Sequence, residues 1–131
     1  MRYMMLIYTT AGDQRTPEET AATASAHIAL MQETKRRGIF HAADPLESVS
    51  TAATVRVKDG KVIVTDGPFA ETKEQLAGYY ILDCKDVDEA IEWASKIPTT
   101  CGGAVGCVEV RAIRQMPEAV RMLLEAEYAN S

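Results

Sequence analysis

The sequence predicts an α+β domain, an antiparallel sheet with helices on one face. Three observations carry this. Two segments open with helix N-terminal signatures, Thr16-Pro17-Glu18-Glu19 and Asp86-Val87-Asp88-Glu89. Each lies between short runs rich in branched and aromatic residues, which read as strands. A third pattern, Thr54 to Thr65, alternates apolar and polar residues about Asp59-Gly60, the signature of a hairpin with a two-residue turn. At 131 residues the chain has the length of one domain with a single core.

Taken in order, Met4-Met5-Leu6-Ile7-Tyr8 is a continuous apolar run, short enough for a buried strand, and Ala11-Gly12-Asp13 breaks it. In the first helix Thr16 caps, Pro17 suits the first helical position, and Ala21, Ala24, Ile28, Met31 and the stem of Lys35 form the expected inner stripe. Arg36 and Arg37 favour the negative end of the helix dipole, and Gly38 stops it. Ile39 to Ala43 reads as a second strand ended by Asp44-Pro45, and 47–52 as a loop. After the hairpin comes a polar loop, Thr65 to Glu74, and then the strand Gly78 to Cys84. The second helix runs to about Lys96 with Val87, Ala90, Ile91, Ala94 and Ile97 inward and Trp93 at an edge; Pro98 stops it. A Gly- and Thr-rich connection, 99–104, leads to a long strand, Val105 to Ile113. A last helix begins at Met116-Pro117-Glu118, with Val120, Leu123, Leu124 and Tyr128 along one side. The order β-α-β, hairpin, β-α-β, α is ferredoxin-like. Its second sheet face remains apolar without a helical cover, which predicts a dimer.

Composition narrows the partners. The net charge of −5 supplies no basic footprint for nucleic acid. No apolar run approaches the roughly 20 residues of a membrane span. The apolar N-terminal run is too short for a signal peptide, and three cysteines without a secretory signal fit reduced thiols in a cytoplasm.

The loop Thr65-Asp66-Gly67-Pro68-Phe69-Ala70-Glu71-Thr72-Lys73-Glu74 is longer than a hairpin requires. With Leu76-Ala77-Gly78-Tyr79-Tyr80, Asp88 to Ala94, Val108-Glu109-Val110-Arg111 and the opening Tyr3 to Tyr8, it resembles the YCII-related family, in particular its DGPF branch. The resemblance covers residues 1–114, leaving 115–131 as a C-terminal helical extension. It implies a ferredoxin-like subunit that dimerises through its sheets into an α/β barrel. It also implies an enzyme with a histidine–aspartate pair in a cleft; one relative is a dehydrochlorinase of a chlorinated hydroxyhydroquinone. Association of some DGPF-like proteins with alternative sigma factors implies a regulatory alternative.

The helix Ala26-His27-Ile28-Ala29-Leu30-Met31 is similar to the one that carries the family's histidine, which makes His27 the candidate acid or base. The plainer account is a half-exposed helical histidine bonded to water. Asp66 and Asp44 are the candidate carboxylate partners; Asp66 equally suits a turn cap. Phe69, Glu71 and Lys73 are candidate substrate contacts around Asp66, with Glu71 and Lys73 alternatively a solvated surface pair. His41, on the second strand, is a further candidate contact, although a satisfied strand histidine explains it as well. Cys84, Cys101 and Cys107 match no zinc-ligand spacing, Gly102-Gly103 lacks the context of a phosphate loop, and no cofactor fingerprint is present. Two functions therefore compete: an acid–base or lyase-type enzyme acting on a small molecule, and a non-catalytic ligand-binding or regulatory module.

Overall fold

The two capping signatures start helices where they stand in the sequence. In the computed structural model, which describes residues 1–10, 16–99 and 106–129, the Thr16 hydroxyl accepts from the Glu19 amide, and the Glu19 carboxylate accepts from the Thr16 amide. Asp86 likewise accepts from the Glu89 amide at 2.9 Å. In chain order the elements are β1 (Arg2–Thr10), α1 (Pro17–Arg36), β2 (Phe40–Pro45), β3 (Ala53–Lys58), β4 (Lys61–Asp66), β5 (Glu74–Asp83), α2 (Val87–Ala94), β6 (Gly106–Ala112) and α3 (Glu118–Ala129). A short 3₁₀ turn, Val49–Thr51, interrupts the expected loop.

Four strands form the main sheet in the order β2-β5-β1-β6, each antiparallel to its neighbours. This mixed α+β architecture is compatible with a ferredoxin-like fold. Pro45 is tolerated at the end of β2 because β2 is an edge strand. Alternation along the central strands sorts side chains onto two faces. Met5 and Ile7 of β1 and Tyr80 and Leu82 of β5 are buried towards the helices. Met4, Leu6, Tyr8 and Ile81 take the other face and are half-buried.

The hairpin β3–β4 stands apart as its own two-stranded sheet. Asp59 (φ 50°) and Gly60 (φ 76°) both take positive φ, as a tight turn between twisted strands requires. The loop that follows is shorter than the sequence suggests. β4 continues to Asp66 and β5 begins at Glu74, which leaves 67–73 between them.

The inward face of α1 differs from the expected stripe. Ile28 is half exposed and Ala24 and Lys35 are exposed, while Leu30 and Thr34 are buried and Thr23 and His27 half-buried. The face is rotated by about one residue, because polar side chains there are satisfied locally. Thr23 donates to the Glu19 carbonyl at 2.9 Å and Thr34 to the Leu30 carbonyl at 2.9 Å. Such bonds remove the cost of burying a hydroxyl, so apolarity alone misplaces the face. In α2 the buried set is Ala90, Trp93 and Ala94, with Ile97 just beyond; Val87 and Ile91 are exposed. Trp93 is thus 7% exposed rather than at an edge. Lys96 and Arg37 cover its ring at 4.5 and 5.6 Å from the centroid, so their cationic heads reach solvent while the indole is shielded. The expected break at Ala11-Gly12-Asp13, Cys101, Gly102-Gly103, Val105 and the Tyr128 side chain lie outside the described residues.

Candidate active site

The rotation of α1 brings His27 onto the sheet. Its Nδ1 lies 2.7 Å from the Tyr80 hydroxyl, and the two rings stack with centroids 5.8 Å apart and planes 24° from parallel. Tyr80 belongs to β5, whose even-numbered residues near it face the helices. A cavity of about 600 Å³ opens beside this pair, between α1, the β1–β5 strands and the segment after β2. Its wall is mixed. Ile7, Ile28 and Met31 supply apolar surface, and Thr20, Thr23 and Ser48 supply hydroxyls. Gly78 admits the end of β2 to this wall. A Cβ there would sit 2.9 Å from the Asp44 carbonyl oxygen, against the backbone.

The chemistry of the pair follows from the partner. Burial pushes the Tyr80 phenol up to about 12, so at neutral pH it remains protonated. A neutral hydroxyl both donates and accepts. It therefore holds the imidazole orientation in either tautomer without placing a charge beside it. Tyr80 engages Nδ1 and leaves the second ring nitrogen, Nε2, to other partners.

The other expected residues lie as follows. Asp44 contributes to the wall of the same cavity, but its carboxylate accepts a hydrogen bond from the Tyr79 hydroxyl at 2.6 Å. Tyr79 and Tyr80 are adjacent on one strand, with Asp44 opposite the first and Ala43 opposite the second. The Asp44–Tyr79 bond is thus on the sheet face away from His27, and it raises the Tyr79 hydroxyl above its ordinary range. Asp66 ends β4, paired with Ala53, and is exposed; it lines neither this cavity nor its neighbour. Within one chain His27 meets a tyrosine, and neither expected aspartate. Gly67 (φ 96°) follows Asp66; its amide donates to the Ala52 carbonyl, and its own carbonyl accepts from Thr54. That backbone accounts for a turn residue before Gly67-Pro68. Phe69, 78% exposed, and Lys73 line a second, open cavity of about 1320 Å³ between the hairpin and the sheet face away from the helices. Glu71 is exposed and lines neither cavity. His41 is exposed where the β2–β5 register shifts between Phe40 and Ala42, away from both cavities. Among the described residues no cluster of three or more His, Cys, Asp or Glu side chains is arranged to hold a metal ion. Nor is any helix among them long and apolar enough to cross a membrane.

Tyr80 escaped the sequence reading. It lies 53 residues from His27, and only the sheet register puts it beneath α1. The available signal was the alternation Gly78, Tyr80, Leu82 on one face of a strand.

The buried acids predict an alkaline instability. Burial, reinforced by the Glu89 and Asp83 carboxylates, raises the Cys84 thiol from 9.0 to about 11, and burial alone raises Tyr80 from 10.0 to about 12. Both groups keep their protons to higher pH in the folded state than in the unfolded one. Unfolding therefore releases protons above the unfolded values, and stability falls as pH rises by roughly 1.4 kcal/mol per unit for each group inside its window. Melting temperature should start to fall near pH 9, and Tyr80→Phe should flatten the part of the curve above pH 10. A wild-type melting temperature that is constant from pH 8 to 11 would contradict this.

A family model described as YCII-related domain matches residues 1–117. The chain is also similar to an uncharacterized protein of Rhizobium meliloti (strain 1021), 46% identical over 68 residues, which is 52% of this chain and 54% of that protein. The match thus spans about half the length of that relative.

Proposed function

Because the chain belongs to the YCII-related family, we propose that it is a small-molecule enzyme of acid–base or lyase type, with His27 as the proton-transfer group. The observation that carries this is the 2.7 Å contact of His27 Nδ1 with the buried Tyr80 hydroxyl at the wall of a 600 Å³ cavity. Tyr80 fixes the ring, the hydroxyls of Thr20, Thr23 and Ser48 orient a polar ligand, and Ile7, Ile28 and Met31 exclude water from one side of it. Asp66 is assigned to the loop backbone. Asp44, through Tyr79, acts on the far face of the sheet.

The functional unit is a homodimer through the sheet face away from the helices. Half-buried Met4, Leu6, Tyr8 and Ile81 supply an apolar surface there. Such an interface should exceed ~1,000 Å² in total. The test of function is a metabolite library applied to the purified protein, read for turnover and for thermal shift. Turnover supports the enzyme. Saturable stabilisation without turnover favours the ligand-binding module.

A further inference from the structure

The two cavities share a wall. The segment 46–49 after β2, Thr10 at the end of β1, and Gln75 and Leu76 at the start of β5 line both of them. These residues gather at one end of the sheet, where Thr9 pairs with Gln75 and the Leu46 amide donates to the Ala77 carbonyl at 2.8 Å. The space beside His27 on the helical face and the space under Phe69 on the other face therefore adjoin around the strand ends. Leu46, Glu47 and Ser48 are exposed, so no packed core stands between the two.

The two ends differ in chemistry. The end at His27 gathers the hydroxyls of Thr20, Thr23 and Ser48. The far end is walled by Tyr8, Val49, Pro68, Phe69 and Leu76. The Phe69 ring is 78% exposed there, and covering it with apolar surface is favourable. The charged side chains of this end are Lys73 with Glu47, Glu74 and Glu109. One cation among three carboxylates supplies no field that would hold an anion.

We propose that the ligand of this protein is an elongated molecule, its polar reacting end at His27 and an uncharged apolar tail carried past Leu46 and Val49 onto Phe69. The inference rests on the reading of the His27 cavity given above, and adds the shape of the substrate and the chemistry of its tail. Phe69 is then a specificity residue. Contact at the remote end holds the reacting end in position. Of the side chains assigned to the dimer face, Tyr8 borders the tail, whereas Met4, Leu6 and Ile81 do not.

The experiment uses linear 1-alkanols as probes, with binding to the labelled protein followed by NMR. Affinity should rise about fourfold for each methylene added from hexan-1-ol to decan-1-ol. Decan-1-ol should bind one molecule per chain. Its hydroxyl-bearing carbon should give contacts to the His27 ring, and its terminal methyl to the Phe69 ring. Phe69→Ala, a change at an exposed ring that leaves the fold intact, should remove most of the gain of decan-1-ol over hexan-1-ol. Two molecules per chain, or an affinity that stops rising at hexan-1-ol with contacts to His27 alone, overturn the span and leave the His27 cavity standing as the binding site. Contacts to Phe69 with none to His27 for any alkanol overturn both. Shifts confined to Val55, Val57, Val62 and Val64 show adsorption to the outside of the hairpin and also overturn both.

Discussion

Replacing His27 with Gln is expected to lower turnover of any substrate found for this protein by at least about 100-fold, the usual effect of removing a general acid or base. Glutamine keeps a polar group near the Tyr80 hydroxyl but has no nitrogen that gains and loses a proton near neutrality. Stability should therefore change little. His27→Ala should differ, because it strands a buried hydroxyl, since Tyr80 is only 3% exposed. An unsatisfied buried group costs roughly 1–3 kcal/mol, so the alanine variant should lose both activity and melting temperature. Tyr80→Phe removes the bond that holds the ring. It should lower kcat more than it raises KM, since a loosely held base is still present but seldom in position. Steady-state kinetics and melting curves of the three variants check this.

Leu82→Ala should be the most damaging single change in the core, with an expected loss of about 2–5 kcal/mol. Leu82 is 0% exposed on the central strand β5 and packs with Met5 and Tyr80 in the core cluster. Its neighbour Ile81 makes the control. Ile81 points to the opposite face, so Ile81→Asp should leave the fold of the chain intact and shift the proposed sheet-face dimer towards monomer. Denaturant unfolding and light scattering of the two variants separate core from interface. If Ile81→Asp remains a dimer at micromolar concentration, the sheet face is not the interface.

The fold was legible where local chemistry decides it. Asp59-Gly60 sets the hairpin register by its own positive-φ turn, and Thr16 and Asp86 start their helices by bonds within one turn. The inner face of α1 was misplaced because Thr23, His27 and Thr34 look polar in sequence yet are satisfied in the fold by carbonyls and by Tyr80. Trp93, expected at an edge, is buried because Lys96 and Arg37 shield its ring. The site was half legible. His27 stood out as a group able to titrate near neutrality, whereas its partner depends on which residue of β5 lies beneath α1. That follows from strand order and register, which no local pattern near His27 encodes. Asp66 and Asp44 were both open as its partner; Asp66 ends β4 and lines neither cavity, and Asp44 bonds Tyr79.

The most direct test of the central claim is a side-by-side measurement of one ligand or substrate from the library screen on the wild type, His27→Gln and Asp66→Ala. The account predicts that His27→Gln loses turnover or binding at unchanged melting temperature, while Asp66→Ala retains it, with at most a loss of stability from its turn. Full function in His27→Gln together with loss in Asp66→Ala would contradict it and move the reactive centre to the loop after β4.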